Sequence, residues 1–429
     1  MVKDSTEEFL IPKFQAYYIY ILLFLLYIFD QADRYVITSL FPFFKAEWGL
    51  TDTQCGLLVS AVYWSLLIFV LPTSLLIDRW SRKKAIGLMA VIWSLAAGAA
   101  AFTRNFGQLF ATRTLIGLGE AGYAPGGAAM ISGLFPEKRR SLFLGIWLAS
   151  VPIGAATGVM LGGLIATQYG WRHALGILAI PGLILGILFF FVKDYKTVQL
   201  VKTRQEGDGE GKRVKMKMRD IVREFIGKPS LILTYLAFAG NIFATVALLT
   251  WIPTYFQRVA GMSVATASLN SGVIMLAALI GTPLGGYIAD KWYRRRKDAR
   301  LLFSAISTLI TAVVFFTAFN IPPGPAQFAF LILVGITIAA FNPGAMAVTQ
   351  DVVHPGLRAM SYSLCVIVQH ILGSTLGPLF VGVVSDAYNI QFALSILPVF
   401  IMVSSILFFI ASKYYEKDLA KVERIELHA

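Results

Sequence analysis

Long apolar runs, separated by short polar or basic stretches, recur along the whole chain. A membrane-spanning helix needs about 20 predominantly apolar residues, and the chain contains twelve apolar runs of about this length. The pattern therefore predicts an all-α polytopic membrane protein with twelve transmembrane helices. The predicted segments cover residues 17–41, 54–76, 85–103, 108–131, 141–165, 173–192, 229–252, 265–289, 301–319, 326–348, 359–384 and 391–412.

The composition agrees with a membrane protein and excludes several other classes. Hydrophobic residues make up 57% of the 429 residues and charged residues only 14%, whereas soluble domains carry about 25% charged residues. A disordered chain, a secreted disulfide scaffold and an ordinary cytosolic enzyme are excluded. The two cysteines, Cys55 and Cys365, fall in apolar runs, so no disulfide framework is expected.

The basic residues are distributed unevenly between the two sides of the predicted membrane. With the N-terminus placed in the cytoplasm, 31 of the 37 lysines and arginines lie in inner segments and four in outer loops. This asymmetry predicts a multi-pass protein with both termini in the cytoplasm. It also assigns the net charge of +13 to topology, so no nucleic-acid partner is expected. Short outer loops favour the plasma (inner) membrane.

The chain divides into two similar halves around a basic stretch. Residues 193–228 are polar and predict a cytoplasmic linker between a bundle at 1–192 and a second bundle at 229–429. SLLIDRWSRKK follows the second segment and GYIADKWYRRR follows the eighth, which places Asp78 and Asp290 212 residues apart. This internal repeat predicts two pseudo-symmetric six-helix bundles.

The duplicated loop resembles a motif of the major facilitator superfamily, a family of secondary transporters, which reads G-x-x-x-D-[RK]-x-G-[RK]-[RK]. Serines 74 and 81 replace its glycines in the first copy, and Tyr293 replaces the loop glycine in the second. The resemblance implies alternating access and a gate that forms and breaks during transport. The alternative to a gate is an ordinary positively charged cytoplasmic loop in which the aspartate only caps a helix. The predicted gate residues are Asp78, Arg79, Arg82, Asp290, Lys291 and Arg294.

Charged residues lie inside two segments of the first half, where burial in the bilayer is costly. The first segment places Asp30, Asp33 and Arg34 at positions i, i+3 and i+4, so the three share a helix face. The fourth segment places Arg113 and Glu120 seven residues apart, again on one face. Both faces are expected to line the protein interior. The alternative is that they form ion pairs that only lock packed helices.

Glycine patterns in the segments are predicted to serve packing. The residues 117–122 read G-L-G-E-A-G, which matches a dinucleotide fingerprint, but that fingerprint requires a preceding strand and a soluble helix. No nucleotide, other cofactor or metal is therefore expected. Small residues repeated every four positions let helices approach closely. Such ladders occur at Ser150, Gly154, Gly158 and Gly162, and at Gly373 and Gly377.

Two branches of the superfamily resemble the chain most. The anion:cation symporters share the Asp-Arg of the first segment and R-x-x-x-G-x-x-E-A with a following proline in the fourth. Spinster-like transporters share much of this and also WIPTYFQR (251–258), the Arg358-Ala359 start of the eleventh segment and HILGSTLGP (370–378). The resemblance implies proton coupling by Asp33 and Glu120, and binding of an anionic substrate by Arg34 and Arg113.

Further residues are predicted to take part in proton coupling or substrate binding, and for each of them the alternative is a role in helix packing. Asp30 and His370 join the proton-coupling group, although a lone histidine on an apolar helix is more often a packing residue. Asn241, Asn342 and Tyr255 are predicted to shape substrate choice in the second half, although buried asparagine also joins helices.

The sequence therefore predicts a proton-coupled secondary transporter of an organic anion, acting as a monomer. Protonation of the carboxylates would free the arginine forks for the anion. Two transport alternatives stay open: a spinster-like exporter of lysophospholipid or sphingoid phosphate, and a facilitative uniporter without proton coupling. Import and export are not distinguished. A membrane enzyme or receptor has no supporting nucleophile, metal cluster or soluble domain in the sequence. The expected partners are a small organic anion or single-chain lipid, protons and the bilayer.

Overall fold

The computed structural model describes residues 12–79, 81–192, 224–354 and 357–422. Most of the predicted linker and the side chains of Asp78, Arg79 and Arg82 lie outside this description. The helices of the first half are α1 (Lys13–Trp48), α2 (Asp52–Arg79), α3 (Arg82–Ala100), α4 (Phe106–Glu120), α5 (Tyr123–Leu134), α6 (Glu137–Leu148), α7 (Ser150–Tyr169) and α8 (Trp171–Phe189).

The second half is also helical throughout its described part. Its elements are α9 (Pro229–Arg258), α10 (Val264–Leu276), α11 (Ala278–Tyr293), α12 (Ala299–Asn320), α13 (Pro325–Thr337), α14 (Asn342–Asp351), α15 (Arg358–Gln369), a π-helical turn (His370–Ser374), α16 (Leu376–Ala387) and α17 (Ile390–Ala420).

Several membrane spans consist of two helices joined end to end. Eleven stretches of the described chain are long and apolar enough to cross a membrane. The fourth predicted segment is the one that falls short, because it breaks at Ala121–Gly122 into helices of 15 and 12 residues. Pro125 explains the break, since it has no amide hydrogen to donate to the carbonyl of Ala121. With this broken span included, the helices follow the twelve-segment pattern.

The first half packs α1 against α7 and α8, α3 against α4 and α8, and α2 against α4. The predicted glycine ladder of α7 is the contact surface for α1. A Cβ atom added to Gly154 would lie 2.3 Å from the carbonyl oxygen of Ile28, and one added to Gly158 would lie 2.3 Å from that of Ala32. Only glycine permits this approach, so the predicted packing role of the ladder is confirmed.

The second half packs α9 and α12 against α17, with α16 against α9. The predicted glycine contacts recur here, because Gly377 faces the carbonyl oxygen of Phe243 at 2.3 Å from an added Cβ. The domain boundaries at 192, 193–228 and 229 stay a prediction, since most of the linker is not described.

The two halves meet through α2 with α16, α7 with α10, and α1 with α9. We call the side where α1 begins and α17 ends the termini face, and the opposite side, where α1 gives way to α2, the far face. Phe41 of α1 packs on Trp251 of α9 with ring centroids 5.1 Å apart. Ser60 of α2 donates to the carbonyl oxygen of Thr375 at 2.6 Å. These contacts join the halves between the far face and mid-depth.

A π-helical turn interrupts the eleventh span at His370–Ser374. The amide of Thr375 bonds to the carbonyl oxygen of His370 at 3.2 Å, five residues back. Contacts with α9 flank the turn on both sides. The Tyr235 hydroxyl meets the Ser361 hydroxyl at 2.6 Å, and the indole Nε1 of Trp251 donates to the carbonyl oxygen of Pro378 at 2.9 Å. Such turns are frequent at functional sites.

Candidate functional site

The charged faces of α1 and α4 meet inside the first half. Arg34 donates to the carboxylate oxygen Oε2 of Glu120 from Nε at 3.1 Å and from Nη2 at 2.6 Å. The same Nη2 lies 3.5 Å from Oδ2 of Asp30, which also accepts from the Gln31 amide at 2.8 Å. The helical spacing thus brings Asp30, Arg34 and Glu120 into one cluster, as the sequence predicts.

Arg113 belongs to the cluster but binds main-chain oxygens. Its Nη1 donates to the carbonyl oxygen of Asp33 and its Nη2 to that of Arg34, both at 2.9 Å. Its Nε reaches the carbonyl oxygen of Leu58 in α2 at 3.4 Å. Arg113 is 1% exposed and in this structure holds α1, α2 and α4 together. Its predicted role in substrate binding stays a prediction.

Each of the three carboxyl groups has one oxygen without a donor. Oδ1 of Asp30, Oδ2 of Asp33 and Oε1 of Glu120 are buried and accept no hydrogen bond from the described part of the chain. A carboxylate oxygen without a donor is unfavourable in an apolar interior, whereas a protonated oxygen carries its own hydrogen. Three carboxyl groups beside two guanidinium groups would also leave one excess negative charge if all were ionised.

Arg34 is the member of the cluster that keeps exposed surface. Its side chain is 13% exposed, against 2% for Asp30 and 0% for Glu120. Its guanidinium carbon lies 5.5 Å from the centre of the Tyr63 ring. Tyr63 also contacts the second half, because the ring of His370 packs against it with centroids 5.8 Å apart. The cluster therefore ends at the boundary between the halves.

His370 and the other predicted residues of the second half occupy different environments. His370 lies in the π-helical turn, with Nδ1 3.3 Å from the hydroxyl of Ser374. Asn241 is fully buried, and neither amide atom has a partner among the described residues. Tyr255 is fully buried and its hydroxyl accepts from Gln327 at 2.6 Å. Asn342 begins α14 at a break in the tenth span. The proton-coupling role of His370 and the substrate roles of the other three residues stay predictions.

The predicted gate residues of the second half make contacts within their own half. Arg300 of α12 donates to Asp290 at 2.8 Å and to Asp351 at 2.7 Å, which ties α11 and α14 to α12. Lys291 lies 5.8 Å from the ring centre of Tyr287. Arg294 is exposed. The gate role of these residues stays a prediction.

Sequence reasoning missed a group of charged residues at the far face. Asp52 binds both Lys45 of α1 and Arg258 of α9 there. The available signal was the scarcity of basic residues in the predicted outer loops. Among the described residues, no three His, Cys, Asp or Glu side chains are arranged to hold a metal ion.

A family model describes most of this architecture. The model of the Major Facilitator Superfamily matches residues 23–378. The chain belongs to the Major Facilitator Superfamily. It is therefore a multi-pass membrane transporter and not an enzyme, and the resemblance drawn from the duplicated loop is confirmed at the level of the family.

Several curated proteins are similar to the chain. The hexuronate transporter of Bacillus subtilis is 26% identical over 294 residues, covering 68% of this chain and 68% of its own. The sphingosine-1-phosphate transporter SPNS2 of Mus musculus is 26% identical over 432 residues, covering 92% of this chain and 77% of its own. Protein spinster homolog 3 of Danio rerio is 25% identical over 92% of this chain and 84% of its own.

A solved crystal structure has the same fold. The crystal structure of a bacterial homolog of the human lysosomal transporter spinster, inward-facing and unoccupied, superposes with a TM-score of 0.83. It is 22% identical, and the match covers 95% of this chain and 99% of the other. The spinster-like branch thus resembles this transporter in both sequence and fold.

Proposed function

We propose that this superfamily member is a proton-coupled transporter of an organic anion. It would lie in the plasma membrane with both termini on the cytoplasmic side. The observation that carries the proposal is the hold of Arg34 on Oε2 of Glu120, next to three carboxyl oxygens that have no donor. The arginine fork is occupied by a carboxylate of the protein itself. A substrate carboxylate or phosphate can replace it with the same two hydrogen bonds.

Charge balance links this exchange to a proton. Asp30, Asp33 and Glu120 with Arg34 and Arg113 carry one excess negative charge when all are ionised, and one bound proton makes the cluster neutral. An anion with one negative charge restores the excess, and a second proton removes it again. Because uncompensated charge at this depth is costly, anion and proton bind together more favourably than either alone. The exchange predicts symport of one proton for each negative charge of the substrate.

Arg34 is the proposed substrate residue and Arg113 the residue that positions it. Arg34 has exposed surface beside Tyr63 and His370, so a substrate between the halves can reach it. Arg113 holds the carbonyl oxygens of Asp33 and Arg34 and fixes this turn of α1. Glu120 is the proposed proton carrier, because its protonation releases Arg34 most directly.

A lipid with an anionic head group is the second candidate substrate. The similarity to SPNS2 extends over 92% of this chain, whereas that to the hexuronate transporter covers 68%. A sugar acid and a sphingoid phosphate share an anionic group that the Arg34 fork can bind, and they differ in the apolar tail. The shared chemistry supports an anion, and the tail decides between the two candidates.

Purified protein in liposomes tests both the coupling and the substrate. With an inward proton gradient, radiolabelled glucuronate should accumulate above its equilibrium level, and a protonophore should abolish the accumulation. Competition by sphingosine-1-phosphate but not by short organic acids would favour the lipid candidate. Uptake that only equilibrates, with or without the gradient, would support a facilitative uniporter and contradict the proton coupling.

A further inference from the structure

One carboxylate, that of Asp52 at the start of α2, fastens the two halves together at the far face. Oδ2 of Asp52 accepts from Nη1 of Arg258 at 2.6 Å, and Oδ1 accepts from Nη2 at 2.7 Å. Lys45 of α1 donates to the same Oδ1 at 2.6 Å. Arg258 belongs to the second half and Lys45 to the first, so Asp52 is shared between a cation of each half.

The end of α16 adds a second carboxylate to this junction. The main-chain amides of Asp52 and Thr53 donate to Asp386 at 2.8 Å each, and the Ser385 hydroxyl donates to Asp52 at 2.6 Å. A carboxylate that accepts the first free amides of a helix is a capping group. Thr51 caps the amide of Gln54 from within the first half, whereas the part of the cap that Asp386 supplies comes from the other half and is lost whenever the halves separate at this face.

Close backbone contacts continue below the charged residues. A Cβ atom added to Gly56 of α2 would lie 2.6 Å from the carbonyl oxygen of Pro378, and one added to Gly382 of α16 would lie 2.5 Å from that of Asp52. Because glycine has no Cβ atom, these two positions let the helices approach more closely than any other residue would allow. The charged cluster therefore lies at the far-face end of a close contact between α2 and α16, which we call the seam.

We propose that Asp52, Arg258 and Asp386 form a far-face lock that holds this side shut and must separate when the transporter opens to it. The sharing of Asp52 makes the lock releasable. When Arg258 departs, Lys45 still neutralises Asp52, so this buried carboxylate is not left without a cation, which is the costly outcome of breaking a buried ion pair.

The freed arginine also has access to solvent. The Arg258 side chain is 35% exposed, whereas that of Asp52 is 3% exposed. A cavity of about 600 Å³ at the far face is lined by Arg258, Ser385, Tyr388, Asn389 and Gln391, with Val259 and Ile390. Water in this cavity can hydrate the guanidinium after release. The lock thus combines a specific closed geometry with a low cost of opening.

The structure supplies a matched control for the lock. Arg172 of α8 makes a comparable two-pronged ion pair with Glu47 of α1, at 2.9 and 2.7 Å. This pair lies at the same face, but both residues belong to the first half. Its loss removes an arginine–carboxylate pair without touching the junction between the halves.

A native cysteine reports on the seam. Cys55 precedes Gly56 and is fully buried in the closed junction, and the chain contains one other cysteine, Cys365. In a Cys365→Ser background, the rate of Cys55 labelling by a charged thiol reagent is measured on purified protein in detergent. We expect Asp52→Asn and Arg258→Gln to raise this rate about tenfold, a shift of about 1.4 kcal/mol in the closing equilibrium. Arg172→Gln should leave the rate unchanged.

A second cysteine distinguishes opening from local loosening. Tyr362 of α15 is 42% exposed and lies eight residues before His370, about two helical turns closer to the termini face. Placed in a background without Cys55 and Cys365, Tyr362→Cys should become less reactive in the Asp52→Asn variant, because opening at the far face closes the opposite side.

Unchanged labelling of Cys55 in both lock variants would overturn the lock, and so would faster labelling of Cys55 without protection of the cysteine at 362. Both measurements use protein without substrate or proton gradient. A failure of the proposed proton coupling therefore leaves this test intact, and a failure of the lock leaves the proposed function intact.

Discussion

Arg113 donates to the main-chain carbonyl oxygen of Asp33 at 2.9 Å, while the carboxyl oxygen Oδ2 of Asp33 has no donor among the described residues. The arginine thus stabilises the position of α1 through the backbone and leaves the acid free to take up a proton.

Replacement of Arg113 by lysine should destabilise the first half although the positive charge is retained. A lysine ammonium cannot reach the carbonyl oxygens of Asp33, Arg34 and Leu58 together, so two of the three hydrogen bonds are lost. We expect a cost of about 1–3 kcal/mol, seen as a lower melting temperature in a fluorescence thermal-shift assay. Arg104→Lys, on the exposed far face, is the control and should melt like the parent protein.

Glu120→Gln should abolish proton-driven accumulation and spare exchange of substrate across the membrane. The amide cannot carry the proton, but its weaker hold on Arg34 leaves the guanidinium free for the anion. The measurement compares gradient-driven uptake with counterflow in liposomes. Glu47→Gln, which removes another arginine-paired glutamate of the first half, should retain both activities. Equal loss of uptake and counterflow in folded Glu120→Gln protein would make the residue structural.

Gly158→Ala should separate α1 from α7. The added methyl group would lie 2.3 Å from the Ala32 carbonyl oxygen, a backbone atom that cannot move aside alone. Overpacking of this kind costs about 1–3 kcal/mol, and the displaced turn carries Asp30, Asp33 and Arg34. Thermal unfolding and uptake should both fall. Gly145→Ala, where an added Cβ meets no atom within 4 Å, is the control; equal effects of both substitutions would contradict the packing argument.

Asp290→Asn should change stability little but slow transport if the predicted gate forms during the cycle. Its side chain is 64% exposed in the pair with Arg300, and exposed pairs contribute about 0–1 kcal/mol. In the variant, Arg300 retains its ion pair with Asp351. We expect a melting temperature within a few degrees of the parent protein and a transport rate reduced about tenfold, as for a lost interaction of about 1.4 kcal/mol. An unchanged rate would assign Asp290 to the structure alone.

Much of the charged cluster was predictable because its members are set by helical periodicity. The spacing of Asp30 and Arg34 in one segment, and of Arg113 and Glu120 in another, places each pair on an interior face, and those faces meet through Arg34 and Glu120. The choice of partner was not predictable for Arg113. It binds carbonyl oxygens, which every residue carries, so no side-chain pattern identifies them.

The far-face junction was not predictable for a different reason. Asp52 contacts Arg258 and Asp386, which are 206 and 334 positions away, and all three stand at helix ends where charges are common. Only the closure of the two halves brings them together. The break of the fourth span does carry a sequence signal, because Pro125 cannot donate a hydrogen bond to the carbonyl oxygen of Ala121 in the turn after Glu120.

The π-helical turn at His370–Ser374 means that two packing registers coexist within a single span. Before the turn, the register is set by Ser361 against Tyr235; after it, by Pro378 against Trp251. The surplus residue reconciles them. Deleting one position inside the turn would therefore leave both surfaces on α9 with a regular α-helix between them, whereas inserting a residue would rotate one of them by about 100° around the axis, so this stretch tolerates the loss of a residue better than the gain of one.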